Sequence, residues 1–161
     1  MDYYQGVVTE YLRADRAIFV NTECCIQLNP SSNPDCTGPH WFCDAVAVNL
    51  RDKEVFLCEI TYSKTLSALV KRLSSWAATW GPLRSALSRD CGVNHEWPVR
   101  PWLFVPNDLR ILLDLKLLKI MNVGNGAGQM PRPKITNLED VTPWKYASSN
   151  RQDEMQISDD A

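Results

Sequence analysis

The segment from Trp41 to Tyr62 constrains the fold more than any other part of the chain. Two apolar runs, WFCDAVAVNL over Trp41–Leu50 and EVFLCEITY over Glu54–Tyr62, are joined by the polar link Arg51-Asp52-Lys53. So short a link between strand-like runs predicts an antiparallel hairpin. Both runs are apolar at odd and even positions alike, which predicts central strands covered from two sides. Inside each run, leaving aside the Glu54 that opens the second, lies one acid, Asp44 and Glu59. Counted from the turn centre at Asp52, Asp44 is eight residues back and Glu59 seven forward, so the hairpin sets them nearly opposite each other. A carboxylate buried without a partner costs on the order of several kcal/mol. An arginine such as Arg72 or Arg100, a set of amides, or a metal ion would compensate it. Two adjacent carboxylates repel unless a cation lies between them, and a hard divalent cation prefers oxygen ligands.

Around this hairpin, Met1 to Arg13 predicts a helix with Tyr4, Val7, Val8, Tyr11 and Leu12 on one side. Ala17 to Leu28 alternates as a strand, with Ile18, Val20, Cys24, Ile26 and Leu28 expected on one face and Asn21, Glu23 and Gln27 on the other. The Pro/Ser/Asn/Gly stretch Asn29–Pro39 is loop chemistry. Leu66, Leu69, Val70, Leu73, Trp76 and Trp80 give the buried face of a helix from about Thr65 to Trp80. Gly81-Pro82 interrupts that helix, and Leu83–Ser88 can continue its path. Pro101–Val105 predicts a fourth short strand, Asn107 an N-cap, and the following residues a helix to about Met121. Gly124, Gly126 and Gly128 read as a flexible connector. They are not followed by Lys-Ser/Thr and open no apolar helix, as a phosphate loop would. Lys134–Tyr146 is an irregular piece with room for one edge strand. The order α-β-β-β-α-β-α predicts an α/β domain, a mixed central sheet flanked by helices, over residues 1–146.

Composition limits the function classes. Hydrophobic residues make up 45% and charged residues 22%, the balance of a soluble globular domain, and no apolar run approaches the length of a membrane span. Met1–Arg13 carries no cationic stretch followed by an apolar one, so the expectation is a cytoplasmic protein without a signal peptide or membrane contact. The six cysteines form no Cys-x-x-Cys pair and read as free thiols in a reducing compartment. The net charge is -2, but residues 147–161 hold Asp153, Glu154, Asp159 and Asp160 against Arg151 alone, an acidic tail expected to be disordered. The remaining body is near neutral, which permits local basic patches without itself arguing for DNA.

The element order, with Asp44 in the second strand and Glu59 in the third, resembles the core of the PD-(D/E)XK (restriction-endonuclease-like) nuclease superfamily over roughly Tyr3 to Leu118. The resemblance implies that Asp44 and Glu59 bind Mg2+ (or Mn2+), and that a glutamate of the first helix, here Glu10, joins the metal shell. It also implies a lysine two residues after the second acid to assist the attacking water. That position is Thr61, so Lys64 at the strand-to-helix junction is the expected substitute, with Lys71 a second option. The motif proline is displaced as well, to Pro39, followed by His40. Asp44, Glu59 and Lys64 are then the expected catalytic residues of a metal-dependent endonuclease hydrolysing phosphodiester bonds of DNA or RNA.

Each residue also has a structural reading. The two acids can be paired with arginines, Glu10 can be a solvated helix residue with Glu23 in its stead, and Lys64 can be merely hydrated. His40 can be a loop histidine or a proton shuttle. Lys71, Arg72 and a loop-borne Trp97 are the expected nucleic-acid contacts. The competing functions are a catalytically inactive relative that binds nucleic acid or protein, for which Thr61 speaks, and a small structural or inhibitory protein. A protein partner or a homodimer is compatible with each.

Overall fold

The structure is a computed structural model that describes residues 2–28, 40–122 and 128–148. The loop expected over residues 29–39 (with Pro39), Gly124 and Gly126 of the connector, and the acidic tail from residue 149 lie outside the described residues. The elements are α1 (Tyr3–Arg13), β1 (Ile18–Gln27), β2 (His40–Asn49), β3 (Glu54–Ile60), α2 (Ser67–Ala78), α3 (Trp80–Cys91), β4 (Val99–Val105), α4 (Arg110–Met121) and β5 (Lys134–Asn137). The strands form one mixed sheet in the order β1-β2-β3-β4-β5. β2 runs antiparallel to both β1 and β3, whereas β3, β4 and β5 are mutually parallel. The α/β class and the mixed sheet between helices are thus as the periodicity predicts.

Two cores lie on the two faces of this sheet. Val55 and Leu57 of β3 join Leu69, Leu73, Trp76, Leu83, Leu87, Leu113 and Leu117 from α2, α3 and α4. Phe56 and Cys58 join Val8 and Leu12 of α1, with Leu138 and Val141. That double cover is why β2 and β3 read as apolar at odd and even positions alike. Among the described residues no helix is long and apolar enough to cross a membrane.

Three local expectations change. The predicted helix break falls at Thr79 rather than at Gly81-Pro82, which occupy the first turn of α3. Proline is tolerated there because first-turn amides have no intrahelical acceptor. Asn107 does not cap α4. It opens a short 3-10 turn, and its side-chain oxygen accepts from Asn137 Nδ2 at 3.3 Å. The single apolar face expected for β1 is divided. Ile18 and Val20 pack toward α1, whereas Cys24, Ile26 and Leu28 pack toward α2–α4.

The cause of that division is Glu23, whose φ of 54° places one residue of an extended strand in the left-handed region. The register pairs Thr22 with Ala45 and Cys24 with Cys43, so Asp44 is the residue across from Glu23. β2 turns over at the same level. Trp41 and Cys43 belong with the α2–α4 core, whereas Ala45 and Ala47 belong with the α1 core. Asp44 therefore sits at an irregularity shared by two strands, the kind of feature that re-aims a side chain out of the regular alternation.

Candidate active site: an acid pair at the end of the hairpin

The β2–β3 register runs from Asn49–Glu54 to Ala45–Cys58, and its next position sets Asp44 opposite Glu59. The turn holds this register through Asn49, whose side-chain oxygen accepts the Arg51 and Asp52 amides at 3.0 and 3.1 Å. Beyond Ala45–Cys58 the acids fill the gap between the strands. Asp44 Oδ2 accepts the Ile60 amide at 2.8 Å, and its Oδ1 accepts from Gln5 Nε2 at 3.1 Å. Glu59 is only 3% exposed, and its Oε2 accepts from Arg72 Nη1 of α2. Its second oxygen, Oε1, is buried with no hydrogen-bond partner.

Burial pushes the Glu59 carboxyl up to about 8, and the negative charge of Asp44 adds to the shift against the pull of Arg72. The acids are therefore coupled electrically, although their side-chain partners come from opposite sides of the sheet, α1 for Asp44 and α2 for Glu59. Beside them the Cys43 thiol donates to the Ala45 and Cys58 carbonyls at 2.9 and 3.3 Å. Burial holds it protonated, with its pKa well above the usual thiol range.

The other expected site residues are dispersed. Glu10 is exposed on the outer side of α1, away from the buried Val8, Thr9 and Leu12, so the expected three-acid shell is not assembled. Gln5 stands where Glu10 was expected. The buried positions 8, 9 and 12 extend back one turn to residue 5, and that spacing was the signal for it. Gln5 is held at both ends, since its Oε1 accepts the Asp2 amide at 3.1 Å while its Nε2 serves Asp44. Lys64 is exposed in the segment between β3 and α2 and makes no ion pair with either acid. The cation that does reach Glu59 is Arg72, expected from the sequence both as a compensating arginine and among the nucleic-acid contacts. Lys71 is exposed on α2, as a solvated contact would be. Trp97 is half-buried against the core instead of standing free, with Arg84 Nη2 donating to its carbonyl at 3.2 Å. Glu23 is exposed at its left-handed position, and His40 meets the Phe42 ring edge-on at 5.2 Å.

An aromatic cluster that sequence reasoning passed over flanks the acids. Tyr4, next to Gln5, stacks on Tyr62 with centroids 4.5 Å apart, and Tyr3 meets Tyr4 edge-on. Tyr3 and Tyr62 are 76% and 53% exposed, so they offer ring faces to solvent near Asp44.

Among the described residues no group of three or more His, Cys, Asp or Glu side chains is placed to hold a metal ion. The acid pair supplies two carboxylates, one held from α1 by Gln5 and the other ion-paired with Arg72 of α2. Magnesium is commonly held by one or two carboxylates, with water and substrate phosphate completing its octahedron. Glu59 Oε1 is buried and makes no hydrogen bond. Thiolate or imidazole sites for zinc are not built here, since Cys43 is protonated and its hydrogen bonds go to carbonyls. No protein-family model matches the chain, and comparison with curated proteins finds no match.

Proposed function

We propose that this chain is a metal-dependent nuclease of the restriction-endonuclease-like type, hydrolysing phosphodiester bonds of DNA or RNA in the cytoplasm. One observation carries the reading: Asp44 and Glu59 stand at facing positions of the hairpin register, and a buried oxygen of Glu59, Oε1, makes no hydrogen bond. Asp44 and Glu59 would hold Mg2+ (or Mn2+). The bound metal would supply a water of lowered pKa and neutralise charge on the phosphate oxygens. Gln5 fixes the Asp44 carboxylate, and the Ile60 amide fixes its other oxygen. Arg72 brings a permanent positive charge from α2 to the acids, the service that Thr61 cannot perform. The exposed rings of Tyr3, Tyr4 and Tyr62 suit a nucleic acid with accessible bases, since stacking on them needs no particular sequence.

The Arg72–Glu59 ion pair also favours the second reading, an inactive relative that binds nucleic acid or protein, because a guanidinium already compensates the buried acid. Calorimetric titration with Mn2+ separates the two. A nuclease binds the metal, loses binding in Asp44→Ala and Glu59→Ala, and cleaves labelled single- or double-stranded DNA or RNA only with Mg2+ or Mn2+. Binding of nucleic acid without metal uptake or cleavage would leave the inactive relative as the function.

A further inference from the structure

Among the described residues nothing covers the apolar outer face of α4. Leu113 and Leu117 are buried against the sheet, while Ile111, Leu115 and Leu118 on the other side are 79%, 56% and 51% exposed. A helix apolar on two sides has a second face to bury, and a contiguous exposed stripe of this kind marks an interaction surface. The steps from Ile111 to Leu115 to Leu118 to the exposed Asn122 alternate between four and three residues, the repeat of a two-helix seam. A groove of about 350 Å³ between α2 and α4, with Val70, Ala77 and Ile120 beside Ser74, Lys116 and Lys119, lies to one side.

The charges beside the stripe select the occupant. Asp114 precedes Leu115 on one rim and Lys119 follows Leu118 on the other. When two identical helices pair in parallel, a residue on the first rim meets the residue five positions on along the opposite rim of its mate. Asp114 of one copy then faces Lys119 of the second, and two-fold symmetry makes the contact twice. The internal bridge from Asp114 to Arg132 is long, 3.7 Å, with both side chains about half exposed, so the Asp114 carboxylate is accessible. Asn122 would add the polar seam position that fixes register. We propose that α4 is the interface of a parallel, two-fold symmetric dimer of this chain. This interface is independent of the acid pair and of any nuclease activity.

Sedimentation equilibrium of the full chain from micromolar to millimolar concentration tests it. The expected mass rises from the 18.3 kDa monomer toward twice that value. Leu115→Glu should hold the chain at monomer mass, with the thermal midpoint the wild type shows at concentrations where it is monomeric. Lys119→Glu should weaken association about tenfold, and Asp114→Lys combined with Lys119→Glu should restore it. A chain that stays monomeric throughout overturns the proposal. So does a dimer indifferent to Leu115→Glu, or a double reversal that associates no better than Lys119→Glu alone.

Discussion

Asp44 lies across the β2–β3 hairpin from Glu59 at the first position beyond the Ala45–Cys58 pair, and its carboxylate accepts the amide of Ile60. The burial of Glu59 and, after it, the charge of Asp44 oppose ionisation of Glu59, raising its pKa to about 8. Because the folded chain holds this proton more tightly than the unfolded one, stability is fully present at low pH. It is lost as pH rises from the ordinary glutamate range through about 8. Thermal melts of the wild type should therefore shift downward over that window, and those of Glu59→Gln should not. Added Mn2+ should restore the wild type at the alkaline end by binding the folded form, and a melt insensitive to pH would contradict the buried-acid account.

Arg72 is the sole cation paired with Glu59 among the described residues. Arg72→Ala should cost about 1–2 kcal/mol above pH 8, where Glu59 ionises, because solvent screens a guanidinium that is 39% exposed. Well below that pH the cost should shrink, since a protonated Glu59 needs no counter-charge. If the nuclease reading holds, cleavage should fall about a hundredfold in the same variant. Urea unfolding at two pH values and a single-turnover cleavage assay read the two effects separately.

Gln5 donates from α1 to Asp44, the position a third acid would take on the nuclease reading. Gln5→Glu should bring a third carboxylate to Asp44. Without metal it should lower the melting temperature through repulsion, and with Mn2+ it should raise metal affinity about tenfold. Calorimetry in the presence and absence of Mn2+ measures both signs. A variant with unaltered metal affinity would mean that no cation sits between these residues.

The Tyr4–Tyr62 stack leaves ring surface exposed near the acids. Tyr62→Ala should weaken binding of single-stranded DNA about tenfold while leaving the fold intact, as expected for the loss of one base–aromatic stack. Fluorescence anisotropy with single- and double-stranded oligonucleotides distinguishes stacking from general charge attraction, because salt and strandedness affect the two differently.

Cys91, exposed at the end of α3, has its thiol pKa lowered by the neighbouring Cys24 thiol against the effect of burial. The buried Cys43 and Cys58 are pushed the other way by burial. Iodoacetamide near neutral pH should therefore modify Cys91 much faster than Cys43 or Cys58, as peptide mapping would read. Cys24→Ala should slow the Cys91 reaction by moving its titration to higher pH.

Much of the scaffold was legible in the chain alone, because strand and helix periodicities are local and a short turn leaves a hairpin little choice of register. The Arg51-Asp52-Lys53 link was enough to set Asp44 against Glu59, and the unbroken apolar runs around them were enough to make both strands central. Only the folded chain decided what surrounds the acids. A single left-handed residue, Glu23, turns β1 over opposite Asp44, and no alternation pattern announces the φ of one residue. Gln5 instead of Glu10, and Arg72 instead of Lys64, reach the acids because helix docking fixes which face meets the sheet. Charge type in the sequence identifies residues able to bind, but the contact itself is made by backbone direction and packing between elements far apart in the chain.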